Sequence, residues 1–449
     1  MPLPLRNFCP GDVPHGHDLA EAGGLMALEG GFPSAEPVED SWRECAHCGL
    51  VTALPAPKPS FVAHCPRCNL SLWRMRKHPF EFPLACGVAA LLFYGFALVA
   101  PFLEITAYGR FQLAHLYTGP MTLSAEGFEL VAALVFAVTI AIPGAKLAIL
   151  LLTLFGLDSR ILSAGLLKRI WRFYAPVTPW AMIDVYLLGF LVAYTRLVGI
   201  ASVHLDTALF SLIGFMVSMA LADSSLDHEA VWRALDEAEP AGAHIRPAFP
   251  RGEPIGCHAC GLLNTARTGD PCRRCHAVLH ARKPDSLARS WAFLIAAVLL
   301  YIPANYYPVM TITELAKSQD FTIFGGILEL LQYGLWPLAL LVFFASITIP
   351  LMKLVILGYM LVQTHRGSET HLLGRTRAFR LIAFIGRWSM IDVFMISILV
   401  ALVRFGLFAN IRADVGAPCF AAVVVLTIFA VDTFDPRLMW DRSAGIERE

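Results

Sequence analysis

Eight of the eleven cysteines fall into four C-x-x-C pairs: Cys45/Cys48, Cys65/Cys68, Cys257/Cys260 and Cys272/Cys275. CAHCGL is followed after sixteen intervening residues by CPRC, and CHACGL after eleven by CRRC, so each half of the chain carries two knuckles. Four thiolates on two such turns suit a tetrahedral metal ion, with Gly49 and Gly261 letting the chain turn back behind the second cysteine. The ion would also replace the core that so short a module lacks. The expected cofactor is zinc, two ions, one per module; redox dithiols or an iron site use the same spacing and stand as the alternative. Cys9, Cys86 and Cys419 have no pair and read as a tail thiol and two small apolar fillers.

The second chemistry lies in charges embedded in apolar runs. Lys353 sits about nine residues from one end of such a run, and Asp392 lies at a similar depth in the next. Ionisable groups survive in lipid mainly when paired or facing a polar cavity, which predicts a Lys353–Asp392 pair. Ser346 is seven residues before Lys353 and Ser389 three before Asp392, each on the same helical face, and Thr427 can join from a shallower level. The first half repeats the pattern with Lys146 and Asp184 but has Ala181 where the second has Ser389, so the fuller site is expected in the second half. The alternative is that both Lys/Asp pairs only hold a bundle together.

These residues need helices that cross a membrane to position them. A chain of 449 residues that is 57% hydrophobic and 16% charged lies outside the soluble range. Thirty-five basic residues balance thirty-five acidic ones, which excludes a nucleic-acid-coating class. Charge-free runs at Leu84 to Leu103 and Trp291 to Met310 are long enough to span a bilayer. Further spans are expected at Leu130 to Phe155, Pro176 to Ile200, Thr207 to Ala222, Leu335 to Val362, Phe384 to Phe408 and Val415 to Val431, four per half. Lys and Arg concentrate in the connections Gly156 to Ala175 and Gln363 to Ala383, placing those loops, the central linker and both termini in the cytoplasm. In that reducing compartment the C-x-x-C pairs are not structural disulfides.

A shift of 207 or 208 positions aligns the halves: Ile142-Pro143 with Lys146 falls on Ile349-Pro350 with Lys353, and Trp180-Ala-Met-Ile-Asp184 on Trp388-Ser-Met-Ile-Asp392. Each unit has an even number of spans, so both copies keep one orientation, related by an axis along the membrane normal. The expected fold is an all-α polytopic membrane protein of two tandem four-helix repeats, each preceded by a small zinc-ribbon, rubredoxin-like module. The expected divisions are a disordered tail over 1–40, the first module over 41–78, the first membrane unit over 79–222, a linker over 223–252, the second module over 253–283, the second membrane unit over 284–432 and a cytosolic tail over 433–449. No G-x-S-x-G elbow, zincin motif or nucleotide-binding phosphate loop occurs, so neither an enzyme nor ATP-driven transport is expected.

The combination of CxxCGL with CPRC, an internal IP-x-x-K and W-x-M-I-D-V in a repeated four-span unit resembles the paraquat-inducible protein A family over about residues 45 to 435. The long N-terminal tail and the sixteen-residue cysteine gap depart from the family pattern. The resemblance implies an inner-membrane protein with cytosolic zinc ribbons that works with a periplasmic MCE-domain, tunnel-forming partner to move phospholipid between membranes and maintain the envelope. By that resemblance the eight paired cysteines are the zinc ligands, and Ser346, Lys353, Ser389, Asp392 and Thr427 form the polar network of the lipid-handling bundle. A membrane thiol/quinone redox protein and a proton-coupled small-solute carrier are the other readings.

Overall fold

The computed structural model describes residues 42–54, 62–76, 78–107, 110–159, 161–197, 202–239, 254–314, 317–332, 334–402 and 409–446. The tail over 1–40 lies outside the described residues, as do Arg404 and Phe408 of the seventh expected span.

Hairpins β1 (Trp42–Glu44) with β2 (Val51–Ala53) and β3 (Val62–His64) with β4 (Ser71–Arg74) build the first cysteine module. The first span is α1 (Glu81–Val99), followed by the hairpin β5 (Leu103–Ala107) and β6 (Arg110–Ala114) and the short α2 (Thr118–Ala125). The second span joins α3 (Glu129–Phe136), a π turn over Ala137–Ala141 and α4 (Ile142–Ser159). The third runs through α5 (Ala164–Trp171), α6 (Tyr174–Val177), a 3-10 turn over Thr178–Trp180 and α7 (Ile183–Leu197). Strand β7 (Ser202–Leu205) leads into the fourth span α8 (Thr207–Ser225), then α9 (His228–Glu237).

The second half repeats this order. Strands β8 (Pro254–Gly256) and β9 (Leu263–Thr265) open the second module, and α10 (Ser286–Tyr306) is its first span. Strands β10 (Met310–Glu314) and β11 (Lys317–Phe321) and helix α11 (Ile323–Gln332) follow. The second span joins α12 (Trp336–Phe343), a π turn over Phe344–Thr348 and α13 (Ile349–His365). The third joins α14 (Leu372–Ile385), a 3-10 turn over Gly386–Met390 and α15 (Ile391–Leu402). Strand β12 (Ala409–Ala413), the last span α16 (Gly416–Thr433) and α17 (Arg437–Ser443) complete the chain.

Eight helices among the described residues are long and apolar enough to cross a membrane, four in each repeat. The sequence expectation holds in number and order, but the basic connections differ from loops. Both are helical: α5 and α14 extend the third spans to 32 residues over Ala164–Thr195 and 31 over Leu372–Leu402. In α5, Leu167 and Trp171 are buried while Leu166 and Arg169 face outward, a helical period that suits a surface helix. The segments on the opposite side, expected only as basic-poor loops, form two antiparallel three-stranded sheets in the orders β6-β5-β7 and β11-β10-β12. Leu103 pairs with Ala114 and Leu205, and Met310 with Phe321 and Ala413, so each sheet ties the first span of its repeat to the third-to-fourth connection.

The equivalent helices α7 and α15 pack on each other across the repeats. Gly189 allows the approach: a Cβ there would lie 3.0 Å from the Ile391 carbonyl oxygen and 3.0 Å from Phe394 Cβ. All of α15 is buried, which puts the second repeat's third span at the centre of the bundle. Each π turn precedes an Ile-Pro step. Proline has no N–H and its ring crowds the preceding turn, so the helix widens instead of keeping its α ladder.

Candidate functional site

The four knuckles share one backbone geometry. In each, the first cysteine carbonyl accepts the N–H four residues on, at 2.9 Å for Gly49, Asn69 and Gly261 and 3.0 Å for His276. The residue after each second cysteine is left-handed: Gly49 at φ 70°, Asn69 at 57°, Gly261 at 72° and His276 at 56°. Glycine adopts that conformation without cost, and asparagine more readily than most. The turns bring Cys45, Cys48, Cys65 and Cys68 into one buried group and Cys257, Cys260, Cys272 and Cys275 into another, with the sulfurs of each group within 4.8 Å of one another. The Sγ–Sγ separations are 3.5 Å for Cys45–Cys68 and Cys48–Cys65, and 3.6 Å for Cys257–Cys275 and Cys260–Cys272. Four ligands at a Zn–S distance of roughly 2.3 Å would stand about 3.8 Å apart, so both donor sets fit a tetrahedral metal.

The modules are clasped to each other and to the chain end. Glu44 Oε1 accepts from Arg282 Nη1 at 3.0 Å and Arg437 Nη1 at 2.9 Å, while its Oε2 accepts the Gly256 N–H at 2.9 Å. Arg282 also holds Asp441 with two hydrogen bonds, and Arg43 Nη1 donates to Gly261 O at 2.6 Å. Arg380 of α14 donates to the Cys68 carbonyl, which joins the first knuckle to the helix leading into the buried core. The segment expected as a C-terminal tail is therefore a structural part of this assembly.

The second-repeat lysine is 1% exposed. Its ammonium donates to Thr427 Oγ1 at 2.8 Å, Ser389 Oγ at 3.0 Å and Gly386 O at 3.2 Å. Three protons meet three neutral acceptors, and the expected Lys353–Asp392 ion pair is not among the described contacts. The 3-10 turn explains the difference, because it presents Ser389 and the Gly386 carbonyl ahead of Asp392. Ser346 lies within the π turn and donates to Val342 O at 2.7 Å on its own helix. The extra residue of that turn changes the angular spacing, so seven residues no longer bring Ser346 back to the face of Lys353.

The first-repeat lysine behaves differently. Lys146 Nζ pairs with Asp223 Oδ2 at 2.5 Å, and Tyr174 OH donates to Asp223 Oδ1 at 2.6 Å. Asp184, the partner that the repeat suggests, lines the same cavity of about 440 Å³ without a hydrogen bond or ion pair among the described residues. Arg387 of the second repeat also reaches this cavity. His228, at the start of α9, stands against Trp171 and Tyr174 with ring centroids at 5.5 Å, and burial pushes its pKa below the usual imidazole value.

The profile of the family "Paraquat-inducible protein A" matches residues 80–236 and again 287–444. The chain belongs to the paraquat-inducible protein A family. The two matched stretches are the two membrane repeats, each containing one lysine node, and the cysteine groups lie just before each. The chain is similar to Intermembrane transport protein PqiA of Escherichia coli K12, at 30% identity over 415 residues that cover 90% of this chain and 97% of the relative. It is similar to Lipophilic envelope-spanning tunnel protein A of the same organism, at 29% over 405 residues covering 89% and 91%. A third relative, the Probable intermembrane transport protein of Haemophilus influenzae, is 26% identical over 409 residues, covering 88% and 95%. No solved structure matches. These named transport relatives, with eight apolar helices, make the chain a multi-pass membrane protein of a transport family.

Within this paraquat-inducible protein A fold, three of the sequence-chosen network residues meet directly: Lys353, Ser389 and Thr427. Asp223, Tyr174 and Arg387 were not singled out. Asp223 lay at the edge of an expected linker, but it belongs to the last turn of α8. Asp223 and Asp432 both lie in the last turn of a fourth span, but one position out of register at the 208-residue shift, so the repeat did not single Asp223 out.

Proposed function

We propose that this protein is the inner-membrane component of a lipid transport system, loading or extracting phospholipid for a periplasmic MCE-domain tunnel and so contributing to envelope integrity. It acts as a transport component and not as an enzyme. Both termini and both cysteine modules face the cytoplasm, which agrees with the basic character of α5 and α14 on the module side. The modules hold two zinc ions through Cys45, Cys48, Cys65, Cys68, Cys257, Cys260, Cys272 and Cys275, and zinc supplies the tetrahedral thiolate cross-link that fixes each module. The transport network consists of Ser346, Lys353, Ser389, Asp392 and Thr427, with Lys146 and Asp184 in the first repeat.

The observation that carries this reading is the Lys353 ammonium, held within a membrane bundle, among the described residues, by two hydroxyls and a carbonyl. Neutral acceptors suit a charge that gains and loses its proton as the bundle rearranges, and the absence of a phosphate-binding loop in the sequence favours protons over ATP as the drive. Native mass spectrometry with metal analysis on detergent-purified protein tests the reading. Two zinc ions and retained phospholipid per chain are expected. A metal-free protein whose thiols cycle between oxidised and reduced forms would replace it with a membrane redox protein, and zinc without lipid would favour a solute carrier.

A further inference from the structure

The cavity of about 440 Å³ in the first repeat is graded along α8. Its charged end is formed by Lys146, Asp223, Asp184 and Arg387, and Asp223 stands in the last turn of α8, at the module-side surface. Phe215 and Met219 of the same helix line it deeper, and Phe215 is about 12 Å further along the axis. A polar end toward the module side and an apolar wall further along α8 fit an amphiphile.

The charges specify its head. Lys146 and Asp223 already neutralise each other at 2.5 Å. Asp184 and Arg387 do not: neither makes a hydrogen bond or ion pair with another described residue, and Arg387 Nε is buried without an acceptor. Among the described residues the Arg387 guanidinium is steadied by the Phe384 ring, 5.5 Å away. The cavity therefore presents one cation and one anion that are unpaired among the described residues, contributed by different repeats. A guanidinium takes a phosphate through paired N–H donors, and a carboxylate takes an ammonium. We propose that this cavity binds a zwitterionic head group carrying phosphate and a primary amine, with phosphate on Arg387 and amine on Asp184. The assignment rests on the lipid-transport reading and adds to it a lipid class and an entry site in the first repeat, away from Lys353.

The test offers the purified full-length protein, in detergent, equal amounts of phosphatidylethanolamine and phosphatidylglycerol with matched chains, and reads retained lipid by native mass spectrometry. Wild type is expected to favour the ethanolamine lipid. Arg387→Gln should lower retention of both lipids by about tenfold or more, the scale of one charged hydrogen bond. Asp184→Asn should bring the two lipids to equal retention without lowering the total. Neither side chain makes a hydrogen bond to another described residue, so both variants should keep wild-type zinc content and melting temperature. Soluble phosphoethanolamine is expected to displace the lipid only weakly; displacement at equal concentration would assign the cavity to a free phosphate ester and overturn the lipid assignment. Retained phospholipid whose amount and ratio neither variant changes overturns the head-group site and leaves the transport reading standing. No retained phospholipid in wild type overturns both.

Discussion

Lys353→Met separates a structural lysine from a working one. Methionine keeps the length and volume of the side chain and removes the charge. The groups left behind are already satisfied: Ser389 Oγ donates to Gly386 O at 2.8 Å, Thr427 Oγ1 donates to Val424 O at 2.8 Å, and the Gly386 carbonyl keeps Ser389. No orphaned donor is created, so the usual penalty of deleting one partner of a buried pair does not arise. Keeping an ammonium from water costs several kcal/mol, and three hydrogen bonds to neutral oxygens offset roughly 1 kcal/mol each. The node is close to balance, and Lys353→Met should change unfolding free energy by less than about 1.5 kcal/mol in either direction. Thermal unfolding in detergent and phospholipid transfer from labelled liposomes should be measured on one preparation, with an expected loss of transfer at nearly unchanged stability. Destabilisation beyond about 3 kcal/mol would make the lysine a clasp of the bundle, and full transfer would remove it from the mechanism.

Other perturbations probe the rest of the molecule. Glu44→Gln weakens the hold on Arg282 and Arg437, which keep Asp441 and Asp435, so a loss of about 1–3 kcal/mol and faster zinc release to a chelator are expected; unchanged release would refute the clasp. Cys48→Ser or Cys260→Ser removes one of four ligands and should lower bound zinc from two ions to one, read by metal analysis. Because burial lowers the folded pKa of His228 below its unfolded value near ~6.5, its contribution is complete above that pH and is lost as pH falls from there toward the folded pKa. Acidification should therefore loosen α9 from Trp171, seen as faster amide exchange in α9, and His228→Gln should remove the pH dependence. Gly189→Val forces side-chain atoms against the Ile391 carbonyl and should cost about 1–3 kcal/mol, with Gly189→Ala milder; equal stability of both variants would show that α7 and α15 can part freely.

What was legible in the sequence follows from how local each signal is. The knuckles are short turns with fixed residue types, and the spans are long apolar runs, so the cysteine groups and the eight helices could be read directly. The register within a broken helix could not. The π turns over Ala137–Ala141 and Phe344–Thr348 and the 3-10 turn over Gly386–Met390 depend on what packs against the freed carbonyls, and each shifts the face on which the following polar residue falls. That is why Ser346 bonds its own helix and why Lys353 meets Ser389 and Thr427 ahead of Asp392. The strand pairs at the opposite end were hidden for another reason: five-residue strands such as Leu103–Ala107 carry too short a period to stand out beside membrane spans.

The two repeats place the same lysine in different chemistry, and two replacements account for it. Tyr174, whose hydroxyl orients Asp223, aligns with Ile382, which has no donor to hold a carboxylate. At the same 208-residue shift Asp223 aligns with Val431, which carries no carboxylate to offer the lysine. Lys146 therefore keeps an acidic partner at the edge of a cavity, with Asp223 one-third exposed, whereas Lys353 is left with hydroxyls in a closed core. A lysine beside a carboxylate has its charge balanced by an opposite one, whereas the buried lysine of the second repeat has its charge met, among the described residues, by neutral oxygens. The duplication has thus placed one lysine in two settings: beside a carboxylate at a charged cavity in the first repeat, and among neutral oxygens in a buried node in the second.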